Sequence, residues 1–89
     1  MRTVWKFTLE LVDYQVVAMP DGARIIHCAD QMGALCIWAE VDTDAPMVSR
    51  TVAVVGTGHR LVGGHHVGSV MQREGLLVWH IYIDREVTR

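Results

Sequence analysis

The chain has 89 residues, of which 51% are hydrophobic, and a formal net charge of -2. This length suffices for one domain and not for two, so we predict a single domain over residues 1–89. A domain this small buries about 60 to 65% of the surface of its unfolded chain, so association between copies would help to stabilise it. The weakly acidic balance excludes a general nucleic-acid binder, which carries an excess of Lys and Arg.

The charge is unevenly distributed along the chain. Residues 1–45 hold three basic and seven acidic side chains, whereas residues 46–89 hold five basic and three acidic ones and four of the five histidines. An anionic ligand would therefore prefer the second half. No apolar run approaches the roughly 20 residues of a membrane span, and the start carries charge where a secretion signal would be apolar. We expect a soluble cytoplasmic protein with no membrane partner.

Hydrophobic alternation with a period of two dominates the sequence and predicts strands. Trp5, Phe7 and Leu9 alternate with polar residues, and the same pattern recurs from Leu76 to Asp84. The predicted strands lie near residues 2–9, 13–19, 23–30, 34–41, 49–56, 65–72 and 76–84. The fold class that we predict is all-β: an antiparallel meander of about seven strands that forms a small sandwich or partly closed barrel. Because the edges of an open sheet need covering, we also expect a homo-oligomer.

Three short turns have a common form and predict three hairpins. Pro20–Gly22, Gln31–Gly33 and Arg73–Gly75 each place two turn-tolerant residues before a glycine. This pattern is typical of a three-residue hairpin loop whose last residue has a positive φ. The second hairpin would set Cys28 directly opposite Cys36, close to disulfide reach. In a reducing cytoplasm we expect two free thiols, with a disulfide as the alternative.

The segment VVGTGHRLVGGHH, residues 54–66, is the stretch of the sequence most suggestive of a binding site, with four glycines and three histidines. A glycine-rich loop after a strand can form an anion-binding nest of backbone N–H groups, which a neighbouring Arg and His could complete. The alternative is a long connection over residues 56–64 that needs positive φ at several glycines. No helix pattern follows, so the segment is neither a dinucleotide fingerprint nor a P-loop. The candidate ligand-binding residues are Thr57, Gly58, His59 and Arg60.

The histidines of the second half are also potential zinc ligands. Adjacent His65 and His66 would point to opposite faces of a strand, so they cannot both bind one ion there. The third hairpin sets His66 opposite Tyr82 and His80 opposite Gly68, so that His66 and His80 share a face that the loop histidine could approach. We predict no metal site and no cofactor, and expect solvated or aromatic-packed histidines on a polar face.

Other motifs favour structural roles. The three tryptophans are predicted core residues, with a base-stacking platform as the alternative. Trp5 and Trp79 fall on the apolar phase of their strands, whereas the alternation does not decide which face Trp38 occupies, and Trp38 could instead mark an oligomer interface. The acidic segment Asp42–Pro46 is predicted to be a turn, with divalent cation binding as the alternative. The sequence shows no nucleophile with a recognisable base, so we do not expect an enzyme.

Five segments carry a family resemblance across about residues 3 to 60. They are Val4–Glu10, Met19–Ala23, Leu35–Ala39, Val41–Pro46 and Gly56–His59. In this order and spacing they resemble a family of short, functionally uncharacterised proteins encoded in phage and prophage genomes. The resemblance implies a small phage accessory protein in the host bacterial cytoplasm, and it supplies no catalytic residues.

Three classes of function follow as expectations. The first is a binding protein without catalysis, such as an anti-defence factor that sequesters an anionic host ligand, for example a nucleotide signal, through Thr57 to Arg60. The second is an interaction module that inhibits a host protein by edge-strand or surface pairing. The third is a virion or assembly component.

Overall fold

The computed structural model describes residues 1–61 and 63–84, so that Val62 of the predicted loop lies outside the described residues. Seven strands follow one another along the chain: β1 (Arg2–Leu9), β2 (Tyr14–Pro20), β3 (Arg24–Gln31), β4 (Ala34–Asp42), β5 (Met47–Gly56), β6 (His65–Gln72) and β7 (Leu77–Ile83). Each coincides with a predicted strand to within two residues at either end. Within this described part of the chain, no helix is long and apolar enough to cross a membrane.

The strands form two antiparallel sheets. The first sheet has the order β1-β4-β3, and the second has the order β2-β5-β7-β6. The inward-facing residues of both sheets make one hydrophobic core, and Trp5 and Trp79 pack against it as predicted. The predicted fold class, an all-β sandwich of seven antiparallel strands, is confirmed, and the two sheets do not close into a barrel.

The connectivity differs from a simple meander, because the first predicted hairpin is wrong. Pro20–Gly22 joins β2 of the second sheet to β3 of the first, so it is a crossing between sheets. The Asp21 N–H donates to the carbonyl of Pro46, and the Ala23 N–H donates to the carbonyl of Pro20. Pro20 and Ala23 are buried, unlike the exposed tip of a hairpin. The turn chemistry was recognised correctly, but a local turn does not determine which sheet the next strand joins.

The second predicted hairpin exists with a different register. Gln31 pairs with Ala34, so the loop contains two residues, Met32 and Gly33. Their φ values are 53° and 89°, and positive φ at both positions is what a two-residue type I′ loop requires. The Asp30 carboxylate accepts a hydrogen bond of 2.9 Å from the Gly33 N–H, which stabilises the turn. The predicted three-residue loop is wrong because Met32, a residue with a Cβ, adopts the left-handed conformation.

This register separates the two cysteines. Cys28 pairs with Ile37, and Cys36 pairs with Ala29, so the predicted pairing of the cysteines is wrong. Since neighbouring positions of a strand face opposite sides of a sheet, Cys28 points toward the core and Cys36 toward the outer face. Cys36 is nevertheless only 1% exposed, with Thr8 Oγ1 3.8 Å from its sulfur. Both are free thiols, as expected. Burial raises the pKa of the Cys28 thiol.

The third predicted hairpin exists too, but its loop is longer than predicted. Gln72 pairs with Leu77 rather than with Leu76, so four residues form the turn. Arg73 and Glu74 both have positive φ, 51° and 58°, before Gly75 at 87°. A β-bulge between His66 and Gly68 adds one residue to β6.

The longer turn and the bulge have opposite effects on register. His80 lies opposite Ser69, so the predicted pairing with Gly68 is wrong. His66 nevertheless lies opposite Tyr82 as predicted, because the extra residue of the bulge compensates for the shift at the turn.

Candidate ligand-binding site

The glycine-rich loop connects β5 to β6 between Gly56 and His65. Gly58, Gly63 and Gly64 have φ values of 87°, 132° and 106°. These left-handed conformations are accessible to glycine without steric cost, so the loop needs its glycines for its path. The structural interpretation of the glycines is therefore supported, and it does not preclude a binding role for the side chains between them.

Thr57 begins a hydrogen-bonded chain that runs across the outer face of the second sheet. Its Oγ1 lies 2.9 Å from Nε2 of His80. Nδ1 of the same imidazole lies 2.8 Å from Oγ of Ser69, which in turn lies 3.2 Å from Nε2 of His66. We refer to Thr57, His66, Ser69 and His80 as the histidine cluster. It ties the start of the loop to β7 and β6.

The hydroxyls and imidazoles of the histidine cluster are versatile hydrogen-bonding groups. A hydroxyl can both donate and accept a hydrogen bond, and a neutral imidazole donates at one nitrogen and accepts at the other. The donors and acceptors of this hydrogen-bonded chain can therefore be assigned in either direction. Tyr82 closes the cluster, because its ring meets that of His66 edge-on with centroids 5.1 Å apart. The cluster can hold the loop, exchange protons along the chain and offer hydrogen bonds to polar groups of a ligand.

Sequence reasoning placed His66 and His80 on one face but missed Ser69 between them. The predicted register put Gly68 opposite His80, and glycine has no side chain to bridge two imidazoles. The signal that could have found Ser69 is the combination of a bulge in β6 and a four-residue turn. Neither feature follows from the local sequence pattern.

The other two histidines of the segment lie elsewhere. The His65 position pairs with Ile83 and borders the space between the sheets, so the predicted separation of His65 from His66 is confirmed. The His59 N–H donates to the carbonyl of Gly56, and a Cβ added to Gly56 would lie 2.9 Å from the His59 ring. In the part of the chain that the structure describes, no three His, Cys, Asp or Glu side chains are arranged to bind a metal.

Two shallow cavities flank His59. The first, of about 390 Å³, is lined by Asp13, Tyr14, Val54, Val55, His59 and Arg60. The second, of about 320 Å³, is lined by Gly56, Thr57, His59, Leu76, Leu77, Val78 and Trp79. The structure thus brings His59 and Arg60 together at one cavity and places Thr57 at the other, with His59 between them.

A larger cavity of about 660 Å³ lies between the two sheets and was not predicted. Its polar lining includes Arg50, Asp84 and His65. Arg50 is buried on the inner face of β5. Its Nε donates to the Asp84 carboxylate at 2.6 Å, and its Nη2 donates to the Asp84 carbonyl at 2.8 Å. In the sequence, the alternation of β5 marks Arg50 as an inward-facing residue, but it does not identify Asp84 as its partner.

The remaining predicted motifs have structural roles. Trp38 lies half-buried on the outer face of the first sheet, with its ring 5.4 Å from that of His27. The Asp42–Pro46 turn is confirmed, since the Asp44 N–H donates to the Asp42 carboxylate and the Ala45 N–H donates to the Asp42 carbonyl. The hydrogen bond from the Asp44 N–H to the carboxylate, with the nearby N-terminal ammonium and Arg2, holds the pKa of Asp42 below its ordinary value.

These features define a small two-sheet β protein whose longest loop is anchored to a histidine cluster and borders two cavities. The chain belongs to the family described as a domain of unknown function, DUF7352, whose match covers residues 1–89. The expectation of an uncharacterised family is confirmed to that extent. No curated protein and no solved structure is significantly similar to the chain.

Proposed function

We propose that the protein is a phage-encoded accessory protein without catalytic activity. In this proposal it sequesters an anionic host ligand, such as a nucleotide signal, and thereby acts against host defence. The ligand binds at the loop residues Thr57 to Arg60. The phage assignment is supported by the sequence resemblance, and the binding assignment is supported by the cavity in which His59 and Arg60 meet Tyr14.

The lining of that cavity suits a ligand with both a charged and a flat part. Arg60 is exposed and carries a guanidinium that can bind phosphate through two parallel hydrogen bonds. Tyr14 is 52% exposed, so its ring is available to stack on a nucleobase. His59 lies between this cavity and the one that contains Thr57, and it can add a second donor to the anion.

Asp13 narrows the choice of anion. Asp13 lines the same cavity, and a carboxylate there repels inorganic phosphate, whose only hydrogen-bond donors are its P–OH groups. A nucleotide also carries donors, the ribose hydroxyls and the exocyclic amines, which a carboxylate accepts. The presence of both Arg60 and Asp13 in the lining of one cavity therefore favours a nucleotide over a simple anion.

Thermal denaturation with a panel of linear and cyclic nucleotides tests the proposal, with inorganic phosphate as the reference anion. A nucleotide present at about ten times its Kd stabilises the protein by about 1.4 kcal/mol, which raises Tm by roughly 6 to 11 °C. The ligand should be recovered unchanged after the protein is denatured, since no reaction is proposed.

Three variants make the test specific. Arg60→Ala should abolish the Tm rise, and Tyr14→Leu should reduce it, whereas Arg2→Ala removes an exposed arginine from the first sheet and should leave it intact. The proposal fails if no nucleotide shifts Tm, if phosphate alone gives the same rise, or if Arg60→Ala still responds. Recovery of a chemically altered nucleotide would contradict the absence of catalysis.

A further inference from the structure

The outer face of the second sheet has an unusual composition. In β2, β5, β6 and β7, which the structure describes in full, Arg50 is the one residue with a formal charge. Its side chain points inward and is bonded to Asp84. The outward-facing residues of these four strands, from Tyr14 and Val16 on β2 to Met71 on β6, are therefore uncharged. We call them the uncharged face.

Several apolar side chains of the uncharged face are open to solvent. Val16 is 69% exposed, Met71 is 68% exposed and Met47 is 55% exposed. Strands that face water ordinarily place charged or strongly polar side chains outward. A contiguous exposed surface of apolar and neutral residues instead marks an interaction site.

The absence of charge favours a second copy of the chain as the occupant. A two-fold contact brings the same surface of both copies together, so a charged residue near the axis lies close to the same charge on the other copy and is repelled by it. The uncharged face carries no such repulsion. It also offers no charge with which to select or steer an oppositely charged partner protein.

The dimensions of the uncharged face are sufficient for a dimer. Four strands at about 4.8 Å spacing and seven residues at about 3.3 Å each give roughly 19 by 23 Å, or about 440 Å² in projection. Two copies together contribute about 900 Å², and the accessible area is larger because side chains corrugate the surface. The total reaches the roughly 1,000 Å² expected of a specific interface.

The uncharged face is not flat, so it offers shape complementarity as well as area. Tyr14, Ala53 and Tyr82 lie side by side on neighbouring strands, as their pairings show. A depression of about 200 Å³ lies at Ala53 between the two tyrosines. The loop residues Gly63 and Gly64 border it, as does Asp84, whose carboxylate is bonded to Arg50. Val16 stands beside the depression as a projection, and a self-complementary surface needs both.

We propose that the uncharged face is the contact surface of a homodimer, in which the two second sheets pack face to face around a two-fold axis. The packing of two sheets at about 10 Å is the ordinary arrangement of a β-sandwich, here formed between copies. The proposal rests on the composition of the second sheet and not on nucleotide binding. The face shares Tyr14 with the proposed nucleotide site, so the dimer is tested without nucleotide and at positions other than Tyr14.

Light scattering after size exclusion, together with sedimentation velocity across a concentration series, tests the dimer. At about 200 µM chain, the wild type should have twice the 10.0 kDa mass of the chain. Val16→Asp places a carboxylate in the contact and should weaken association about a hundredfold. The matched control is Val4→Asp, which adds the same charge at a 49% exposed valine on the first sheet and should leave the dimer intact.

A second variant distinguishes loss of the dimer contact from misfolding of the Val16→Asp protein. Met71→Lys adds a long, easily solvated cation at the opposite edge of the uncharged face and should also yield monomers. The circular dichroism spectrum confirms that each variant is folded. A wild-type monomer at this concentration overturns the proposal, even if a different protein binds the face. A dimer that survives both charges, or that Val4→Asp dissociates while Val16→Asp does not, overturns it equally.

Discussion

The two sheets are similar in fold and opposite in charge. The strands of the first sheet carry six charged residues, whereas those of the second carry Arg50 alone. In the first sheet Arg24 and Glu40 face outward as an exposed ion pair at 3.7 Å. In the second sheet the outward polar groups are neutral hydroxyls and imidazoles, and the charge lies inside.

In the proposed dimer the two outer faces meet different surroundings. Exposed ion pairs contribute little to stability but keep a surface solvated and discourage association. The second sheet lacks that protection, and it bears the histidine cluster as well as the proposed dimer contact. The first sheet is therefore the solvent-facing layer, and the second presents the candidate functional surfaces.

The largest expected effect concerns the charge inside the second sheet. Arg50→Ala removes a buried guanidinium and leaves Asp84 without its 2.6 Å partner. Breaking a buried pair is strongly destabilising, but the Asp84 side chain is 37% exposed and water can resolvate it. We expect the free energy of unfolding to fall by about 2 to 4 kcal/mol in urea denaturation.

The control for this change is a charge on the first sheet. Lys6 is exposed and donates to the side chain of Gln31, so Lys6→Ala should change the free energy of unfolding by no more than about 0.5 kcal/mol. Equal effects of the two variants would show that the inner and outer charges are not distinct in the way proposed.

The next effect tests how tightly the sheets meet where β3 approaches β6. A Cβ added to Gly68 would lie 2.8 Å from Sγ of Cys28. Gly68→Ala should therefore cost about 1 to 2 kcal/mol, because the sulfur must turn away or the strands must separate. Urea denaturation measures the loss.

The double variant Gly68→Ala/Cys28→Ala checks the cause. Removing the sulfur leaves the nearest contact at the Cys28 Cβ, 3.5 Å away, which is ordinary van der Waals distance. The double variant should be less destabilised than the sum of the two single variants. Strict additivity would mean that the two strands do not touch at this point.

Much of the fold was predictable because alternation is a local property. The seven strands, their antiparallel arrangement and the inward positions of Trp5 and Trp79 follow from residues two apart in the chain. The order of strands in each sheet did not follow, because Pro20–Gly22 has the same local chemistry in a hairpin as in a crossing between sheets. The predicted register of the second hairpin is wrong for a similar reason, because the positive φ of Met32 depends on the turn as a whole.

The candidate site was predicted in part. The sequence indicated the loop and its basic residues, and it placed His66 and His80 on one face. The contact of Thr57 with His80 depends on where the loop lies above the sheet, and the bridge through Ser69 depends on register. The inward pairing of Arg50 with Asp84 is a contact between distant parts of the chain, which alternation alone does not identify.

A smaller effect is expected from the neutral polar groups of the second sheet. Thr57→Val removes the hydroxyl that bonds to His80 while it preserves the shape of the side chain. Because this hydrogen bond is exposed, we expect a loss of about 0.5 to 1 kcal/mol and a Tm fall of roughly 2 to 8 °C. Thr51→Val, an equivalent change at an exposed threonine of β5, is the control and should leave Tm nearly constant. A comparable loss in both variants would argue against an anchoring role for Thr57.

The smallest effect concerns a charge at the end of β4 in the first sheet. Asp42→Asn keeps an oxygen that can accept from the Asp44 N–H but removes the negative charge. The pKa of Asp42 is lowered in the folded protein, so its charge stabilises the fold at pH values above the ordinary Asp pKa of about 3.9. That contribution is lost as the pH falls through the lower, folded pKa. We therefore expect wild type to have a slightly higher Tm than Asp42→Asn at pH 7, and the gap to close as the pH falls below about 3.9.

The control is Asp21→Asn, which removes a carboxylate from the exposed turn after β2. A gap that is the same at pH 7 and at about pH 2 would show that the charge of Asp42 does not contribute to the stability of the first sheet.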